Sequence, residues 1–412
     1  FGSRVGCKTC NHPEGLKAAL LPFNEDPAIA ARSDSCSMKL LTLFIATAAC
    51  SKLRSSVGTS DTLESSVHLE RSYAAFLVKH GVARSRDSVA QAERLAAFAH
   101  SVAKVSAQNR KTQRSWTAGL NRFADHTPEE FRRVLGFKRM GTWWNTTRST
   151  SLVQTSELAD SIDWAAQTHT GKYFIDQGSC GSCWAVAATG ALEMRAEIAH
   201  KQAPNMLSYK ELLDCVENPQ HCGGDGGCAG ATGELAFQYI SQHGLSARSS
   251  YRGDVESTGS CQTGMRSAVV KASSFVRLPI NELQPLMMAI QEGPVVVSVD
   301  GEPWSNYQSG VFDGCRRDAT VNHAVLLVGY GHDSSVEKDY WLVRNSWGEW
   351  WGEKGFIRVQ RHSSDKGEEG YCGTDYDPKQ GVGCEGGPAT LPVCGMCGIL
   401  SDSVYPEGVS AM

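Results

Sequence analysis

The sequence predicts an α+β fold in which a helix-rich half precedes a strand-rich half, with a helical segment ahead of both. Three observations predict it. A run rich in Ala and Leu and free of proline over 183–200 opens a region with further helical stretches at 209–213 and 234–242. Short apolar runs at 295–299, 324–330, 340–343 and 356–359 read as strands. Far upstream, Arg94, Phe98, Ser101, Val105 and Asn109 are spaced 4, 3, 4 and 4 apart, which puts them on one helical face.

The chain has 412 residues, 41% hydrophobic and 20% charged, a globular composition longer than one average domain. Fifteen cysteines point to an oxidising compartment, because the cytosol would keep them reduced. The chain opens on Phe1, and its first methionine is Met38. Residues 38–49 carry one basic residue, a short apolar run and small residues at the end, so they read as a secretory signal peptide and 1–37 as upstream sequence. About ten apolar residues are too few for a mature membrane span. No stable membrane anchor is therefore expected. Cys7, Cys10 and His12 are too sparse for a convincing metal site.

Residues 50–157 read as a separate segment. It contains Gly119-Leu120-Asn121-Arg122-Phe123-Ala124-Asp125 and grades, between 144 and 160, into a stretch of Thr, Ser and Gln. Asn145-Thr146-Thr147 there is an N-glycan acceptor. Net charge is +8 over 51–157 and −13 over 158–412. The two parts should attract, and acid or added salt should weaken that attraction.

Chemistry concentrates after residue 158. Cys180-Gly181-Ser182-Cys183-Trp184 puts Cys183 where a helix begins, and the positive end of the peptide dipoles there favours a thiolate. His323 stands at the entrance of the apolar strand 324–330, and Asn345 at the exit of 340–343. A cysteine, a histidine and an orienting amide form the set that nucleophilic thiol catalysis requires.

These motifs, over roughly residues 70 to 406, resemble the papain family of cysteine peptidases, cathepsin L-like members in particular. The resemblance implies a two-lobe papain-like fold, with a helical left lobe and a β-barrel-like right lobe, and a mature peptidase over 158–412. It makes Cys183 the nucleophile, His323 its proton partner, Asn345 the residue that orients the imidazole, and Gln177 a donor to the oxyanion hole. Trp347 would shield the Asn–His hydrogen bond. The segment 50–157 would be an inhibitory prosegment, matching the family helix at Arg94, Phe98 and Asn109 and departing from it at Ala90 and Ser101. Groove contacts would come from Gly181, Gly230, Ala231, Thr232, Gly233, Ser298, Val321, Asn322, Ala324, Trp347 and Asp402.

The same resemblance implies disulfides Cys180–Cys228 and Cys215–Cys261. Cys315 has two candidate partners, Cys372 and Cys397. Cys397 is favoured, because Cys397-Gly398-Ile399-Leu400 leads to Tyr405-Pro406 as the family's terminal motif does. Residues 361–396 would then be a cysteine-rich insertion, stapled by some arrangement of Cys222, Cys372, Cys384 and Cys394. The aspartate five residues on, Asp402 in one register and Asp377 in the other, would lie at the floor of the pocket for the P2 side chain. Leu or Val together with Arg should be tolerated there.

The implied protein is a cysteine endopeptidase made as a secretory zymogen. It would cleave peptide bonds through an acyl-thioester and be activated by acid-promoted prosegment removal in a lysosome-like or extracellular setting. Endopeptidase action is preferred because no long insertion adjoins the active-site motifs. A transpeptidase or ligase using the same acyl-enzyme and a non-catalytic peptide-binding relative are the alternatives. Substrates would be peptides and proteins, with the prosegment as an intramolecular inhibitor. A monomer needing no metal or organic cofactor and taking no nucleic acid is expected.

Overall fold

The structure, a computed structural model, describes residues 59–81, 88–136 and 158–412. The signal-like run, the Cys7, Cys10 and His12 set, Asn145 and the junction as far as residue 157 lie outside them. Of the N-terminal unit, Phe1–Val67, only the start of the first helix is described.

Helices α1 (Thr59–His80) and α2 (Ser88–Asn109) meet through aromatic rings. Tyr73 and Phe76 lie 5.2 and 5.0 Å from Phe98, which explains why the predicted face carries a phenylalanine. At the end of α2 the Asn109 side-chain amide donates to the Ala118 carbonyl and accepts from its N–H, 2.8 and 2.9 Å, fixing strand β1 (Trp116–Ala118). Helix α3 (Pro128–Leu135) starts with proline in its first turn and a capping box, in which Thr127 caps the Glu130 N–H and Glu130 caps that of Thr127. Gly136 ends it at φ +88°, a conformation that suits glycine.

The remainder opens with β2 (Ile162–Asp163), α4 (Trp164–Gln167), α5 (Cys183–His200), α6 (Tyr209–Cys215) and α7 (Gly233–His243). Strands β3 (Leu245–Ser246), β4 (Ala268–Lys271) and β5 (Ser274–Arg277) lead to α8 (Leu283–Glu292). Then come β6 (Val295–Val299), β7 (Tyr307–Phe312), β8 (His323–Asp333), β9 (Lys338–Arg344) and β10 (Phe356–Gln360). The chain ends with β11 (Gly373–Asp375), β12 (Leu391–Val393), β13 (Ser403–Glu407) and β14 (Ser410–Ala411).

The main sheet runs β1-β7-β10-β9-β8-β6-β13-β5, with β2 added to β8. It is open, so the barrel-like lobe is not a closed barrel. Strand β8 is buried from His323 to Gly331 because both faces are covered. Val325 and Leu327 join one core with Val295, Val297 and Trp304, while Ala324, Leu326 and Val328 join the other with α5. Each such Val or Leu contributes about 1.5–3 kcal/mol on burial. Helix α5 is buried from Cys183 through Ala196 and carries its N-terminus to the seam between the two cores.

Five disulfides staple the fold: Cys180–Cys228, Cys215–Cys261, Cys222–Cys384, Cys315–Cys397 and Cys372–Cys394. Among the described residues Cys183 alone is a free cysteine.

Candidate active site

Cys183 is the first residue of α5 and is fully buried. Its thiol donates to the Leu135 carbonyl at 3.3 Å, so the end of α3 sits on the sulfur. Gln177 lies beside it. The Ser346 hydroxyl holds the Gln177 Oε1, and its Nε2 donates to the carbonyls of Cys180 and Val134, both at 2.8 Å. The amide that the resemblance makes an oxyanion donor thus already grips a carbonyl of the N-terminal segment.

His323 and Asn345 are brought together by the β8–β9 pairing, one at the start of β8 and the other just beyond β9. His323 Nε2 and Asn345 Oδ1 are 2.8 Å apart. Oδ1 also accepts the Ser346 N–H at 2.8 Å, which assigns it as the oxygen and makes Nε2 the protonated nitrogen. The lone pair of the neutral ring is then on Nδ1, which makes no hydrogen bond. The Trp347 indole stacks on the imidazole at 5.0 Å and 22°.

Electrostatics differ from what the helix dipole alone suggests. Burial pushes the Cys183 thiol up to about 12, against the backbone N–H groups of Ala324, Trp184 and Cys183 itself. Burial also pulls His323 down to about 4, opposed by Asn345 and the Leu135 backbone. With α3 in place, desolvation outweighs the dipole and holds both groups neutral. A local sequence motif reports the dipole; the covering segment comes from elsewhere in the chain.

The N-terminal segment reaches the site by three contacts that account for its motif. Gly119 allows a close approach to Gln308, where a Cβ would lie 2.9 Å from the side-chain oxygen, and its N–H donates to Asn306. Asn121 donates to the Ser305 carbonyl at 2.8 Å. Phe123 packs edge-on against Trp347 and Trp350, at 5.2 and 4.9 Å. Asp125 accepts from Tyr73 within the segment itself, 2.9 Å. Strand β1 pairs with β7 in addition. An ion pair, Arg122–Asp176 at 3.8 Å, crosses here with both side chains nearly half exposed. Apolar packing and strand pairing therefore carry more of the attachment than the opposite net charges suggested.

Two of the expected groove positions close on Gly136. A Cβ on Gly181 would lie 2.6 Å from both Gly136 Cα and the Cys228 carbonyl, and one on Gly230, at φ +97°, 1.9 Å from the Gly136 carbonyl. Ala231 is buried, Thr232 caps α7, and Gly233 packs against Val404 and Val296. Asn322 accepts the Gly301 N–H, and Val321 and Ala324 are buried.

Asp402 has two neighbours of its own. Its Oδ2 accepts from Ser298 at 2.6 Å, and Arg277, which no motif singled out, lies 3.6 Å from Oδ1 and 3.3 Å from Glu234. Asp377 accepts from Gln380 in its own turn. Val134, Leu135 and Gly136 were also missed; they stand on a helix whose only sequence signal is its cap.

The insertion is distant in sequence from the active-site motifs, yet it lies beside the groove. Cys384 bonds Cys222, the Gly223 N–H donates to Gly383, and the Val382 N–H donates to Val321, at 3.2 and 3.0 Å. Sequence proximity to a motif was a poor guide to proximity in space. Among the described residues no helix is long and apolar enough to cross a membrane, and no group of His, Cys, Asp and Glu could hold a metal.

Comparison with known proteins agrees with this architecture. Residues 158–382 match the model of the papain family cysteine protease, and 69–131 the cathepsin propeptide inhibitor domain. Cathepsin S of Rattus norvegicus is 35% identical over 63% of this chain and 78% of its own. A probable cysteine protease of Arabidopsis thaliana, RDL3, is 33% identical over 70% and 77%. In three dimensions the chain is similar to a recombinant stem bromelain precursor, with TM-score 0.65, 29% identity, and 82% of this chain and 98% of that one covered. A digestive procathepsin L 3 of Tenebrio molitor gives 0.64, 27%, 82% and 99%. From the thiol at the head of a buried helix to the propeptide domain lying over it, this chain belongs to the papain family of cysteine proteases.

Proposed function

We propose that this chain is a self-inhibited cysteine endopeptidase precursor in which Cys183, His323, Asn345 and Gln177 form the catalytic set. The observation that carries this reading is the His323 Nε2 to Asn345 Oδ1 contact of 2.8 Å beneath Trp347, which leaves Nδ1 for the thiol. With the covering segment gone, water re-enters and the burial that opposes charge is relieved, so the thiol proton passes to Nδ1. The thiolate attacks the scissile carbonyl, and the developing oxyanion takes the Gln177 Nε2 and the Cys183 N–H as donors. The amine leaves with the proton from His323. Water, deprotonated by the same nitrogen, then hydrolyses the thioester and restores Cys183.

Residues 50–157 act as the inhibitor and 158–412 as the mature enzyme, released in an acidic or extracellular setting on the secretory route. Latency has two parts. Leu135 and Val134 occupy the thiol and the amide, and the enclosure keeps the pair uncharged.

The test is to express residues 38–412 and acidify the precursor from about pH 7 to about pH 5, beside Cys183→Ala. Maturation and peptide cleavage that both vanish in the variant are expected. A matured wild-type protein that turns over no peptide would overturn the reading.

A further inference from the structure

Arg122 of the N-terminal segment is seated in a cradle that belongs to the catalytic part. Its guanidinium lies over the Trp350 indole, 5.1 Å from the ring centre, and 3.8 Å from Asp176 Oδ2. Both partners are held by other bonds. The Trp350 indole N–H donates to the same Asp176 oxygen at 2.8 Å, and Asp176 Oδ1 accepts the Gly178 N–H at 3.2 Å. Gly348, at φ +76°, lets the indole fold back over its own turn, where a Cβ would lie 3.0 Å from the ring. The arrangement offers a cation an aromatic face and a carboxylate edge at once.

The cradle stands on the leaving-group side of the reacting bond. The leaving amine takes its proton from His323, so the part of a substrate beyond the cut passes the imidazole and the Trp347 indole stacked on it. Trp347 pairs through its backbone with Asp176, and Phe123 packs edge-on against both Trp347 and Trp350. Along the covering segment the order is Arg122 and Phe123 at Trp350, Leu135 at Cys183, and Gly136 at Gly230. The thiol thus separates the cradle from Gly230 and the acyl-side positions that follow it.

Arg122 and Asp176 are both nearly half exposed, so the cradle opens on solvent. Two further carboxylates adjoin it. A Cβ on Gly178 would lie 2.8 Å from Glu256 Oε1, and Glu349, one residue before Trp350, is exposed. Their field favours a cation over an anion at this end of the groove.

We propose that, once the segment has left, Trp350 and Asp176 bind an arginine or lysine of the substrate within two residues after the scissile bond, and so select peptides with a basic leaving-group side. The inference rests on the peptidase reading above and names a substrate class for its site. Arg122 is the occupant that shows the fit, and its departure empties the cradle. Each contact is modest in water, so the outcome is a preference of several fold, not an absolute requirement. Arginine should exceed lysine, because a flat guanidinium can lie on the indole while it faces the carboxylate. A glutamate in the same place would meet Asp176 and be disfavoured.

The experiment uses the matured enzyme and internally quenched peptides that share one acyl half and carry Ala, Arg or Glu at the first or the second position after the cut. Mass spectrometry identifies the cleaved bond, and Cys183 is titrated with an irreversible peptidyl epoxide. Each comparison is a ratio on one enzyme, which cancels a general loss of activity. Wild type should cut the better Arg peptide at least about fivefold faster in kcat/KM than its Ala counterpart, with the Glu peptide slowest. Trp350→Ala and Asp176→Asn should each bring that ratio down to about twofold. Moving the arginine to the fifth position should abolish the advantage, which separates the cradle from the net charge of the catalytic part. With Cys183 fully labelled, no preference in wild type, a preference that either variant leaves intact, or an equal advantage from the fifth position overturns the cradle alone. No labelling and no turnover of any peptide overturns the peptidase reading as well.

Discussion

The Leu135 carbonyl accepts the Cys183 thiol at 3.3 Å, while the Val134 carbonyl one residue earlier accepts Gln177 Nε2 at 2.8 Å. Two successive peptide units therefore occupy the sulfur and its neighbouring donor. Next comes Gly136, where a Cβ would lie 2.7 Å from the sulfur and the backbone is at φ +88°. A side chain here meets both steric contact and about 1–2 kcal/mol of backbone strain. Gly136→Ala should raise the residual activity of the unprocessed precursor about tenfold, read with a fluorogenic peptide before any cleavage of the segment.

Glu130 ties the α3 cap to α2. Desolvation alone would raise its pKa, but the Thr127 N–H and the Arg94 guanidinium hold it below the usual carboxylate range. A depressed carboxylate stabilises the fold above its ordinary pKa, and that contribution is lost as pH falls through the lowered value. Glu130→Gln removes the charge at every pH while its amide oxygen can still accept the Thr127 N–H, so the cost falls on the Arg94 pair. Autoprocessing followed by gel against pH should begin at higher pH in this variant than in wild type.

The thiol and imidazole pair should add little to that acid response. Enclosed, with Cys183 near 12 and His323 near 4, it carries one proton, on sulfur, across the range between. Exposed as thiolate and imidazolium it again carries one, on nitrogen. Equal proton counts give no slope. Alkylation of the precursor's Cys183 by iodoacetamide should be slow at about pH 8, where the enclosed thiol keeps its proton, and accelerate sharply once the segment is removed.

Phe123 is wedged against Trp347, Trp350 and Phe131. Phe123→Ala should weaken latency by about 3 kcal/mol, since a large aromatic is lost from a packed site. Arg122→Ala should cost under about 1 kcal/mol, because the Arg122–Asp176 pair is half in solvent. Added salt should then shift the pH of activation only slightly, in contrast to what the opposed net charges implied. Activation midpoints at low and high salt decide between them.

Gln177→Ala should lower kcat by about 100-fold with a smaller change in KM, as expected for a donor that acts on charge developing in the transition state. Single-turnover and steady-state rates on one peptide measure both.

How much of this was legible depended on whether the signal was local. Cys183, His323 and Asn345 each stand at a helix or strand terminus that their own neighbours define, and Asn109, Asn121 and Phe123 belong to short periodic motifs. Arg277 belongs to none. It meets Asp402 only because β5 pairs with β13. The position of the insertion is likewise a fact of tertiary structure, set by Cys222–Cys384 and the Val321 contacts. The neutrality of the thiol was illegible for the same reason, since its cause is burial beneath residues about fifty positions upstream.

Strand β1 gives maturation a second consequence. In the precursor, Trp116, Thr117 and Ala118 pair with Gly310, Ser309 and Tyr307, and the other side of β7 is taken by β10. Once the segment departs, β7 becomes a border of the sheet, with backbone donors and acceptors turned outward. Liberating the thiol and uncovering the edge of β7 are one event.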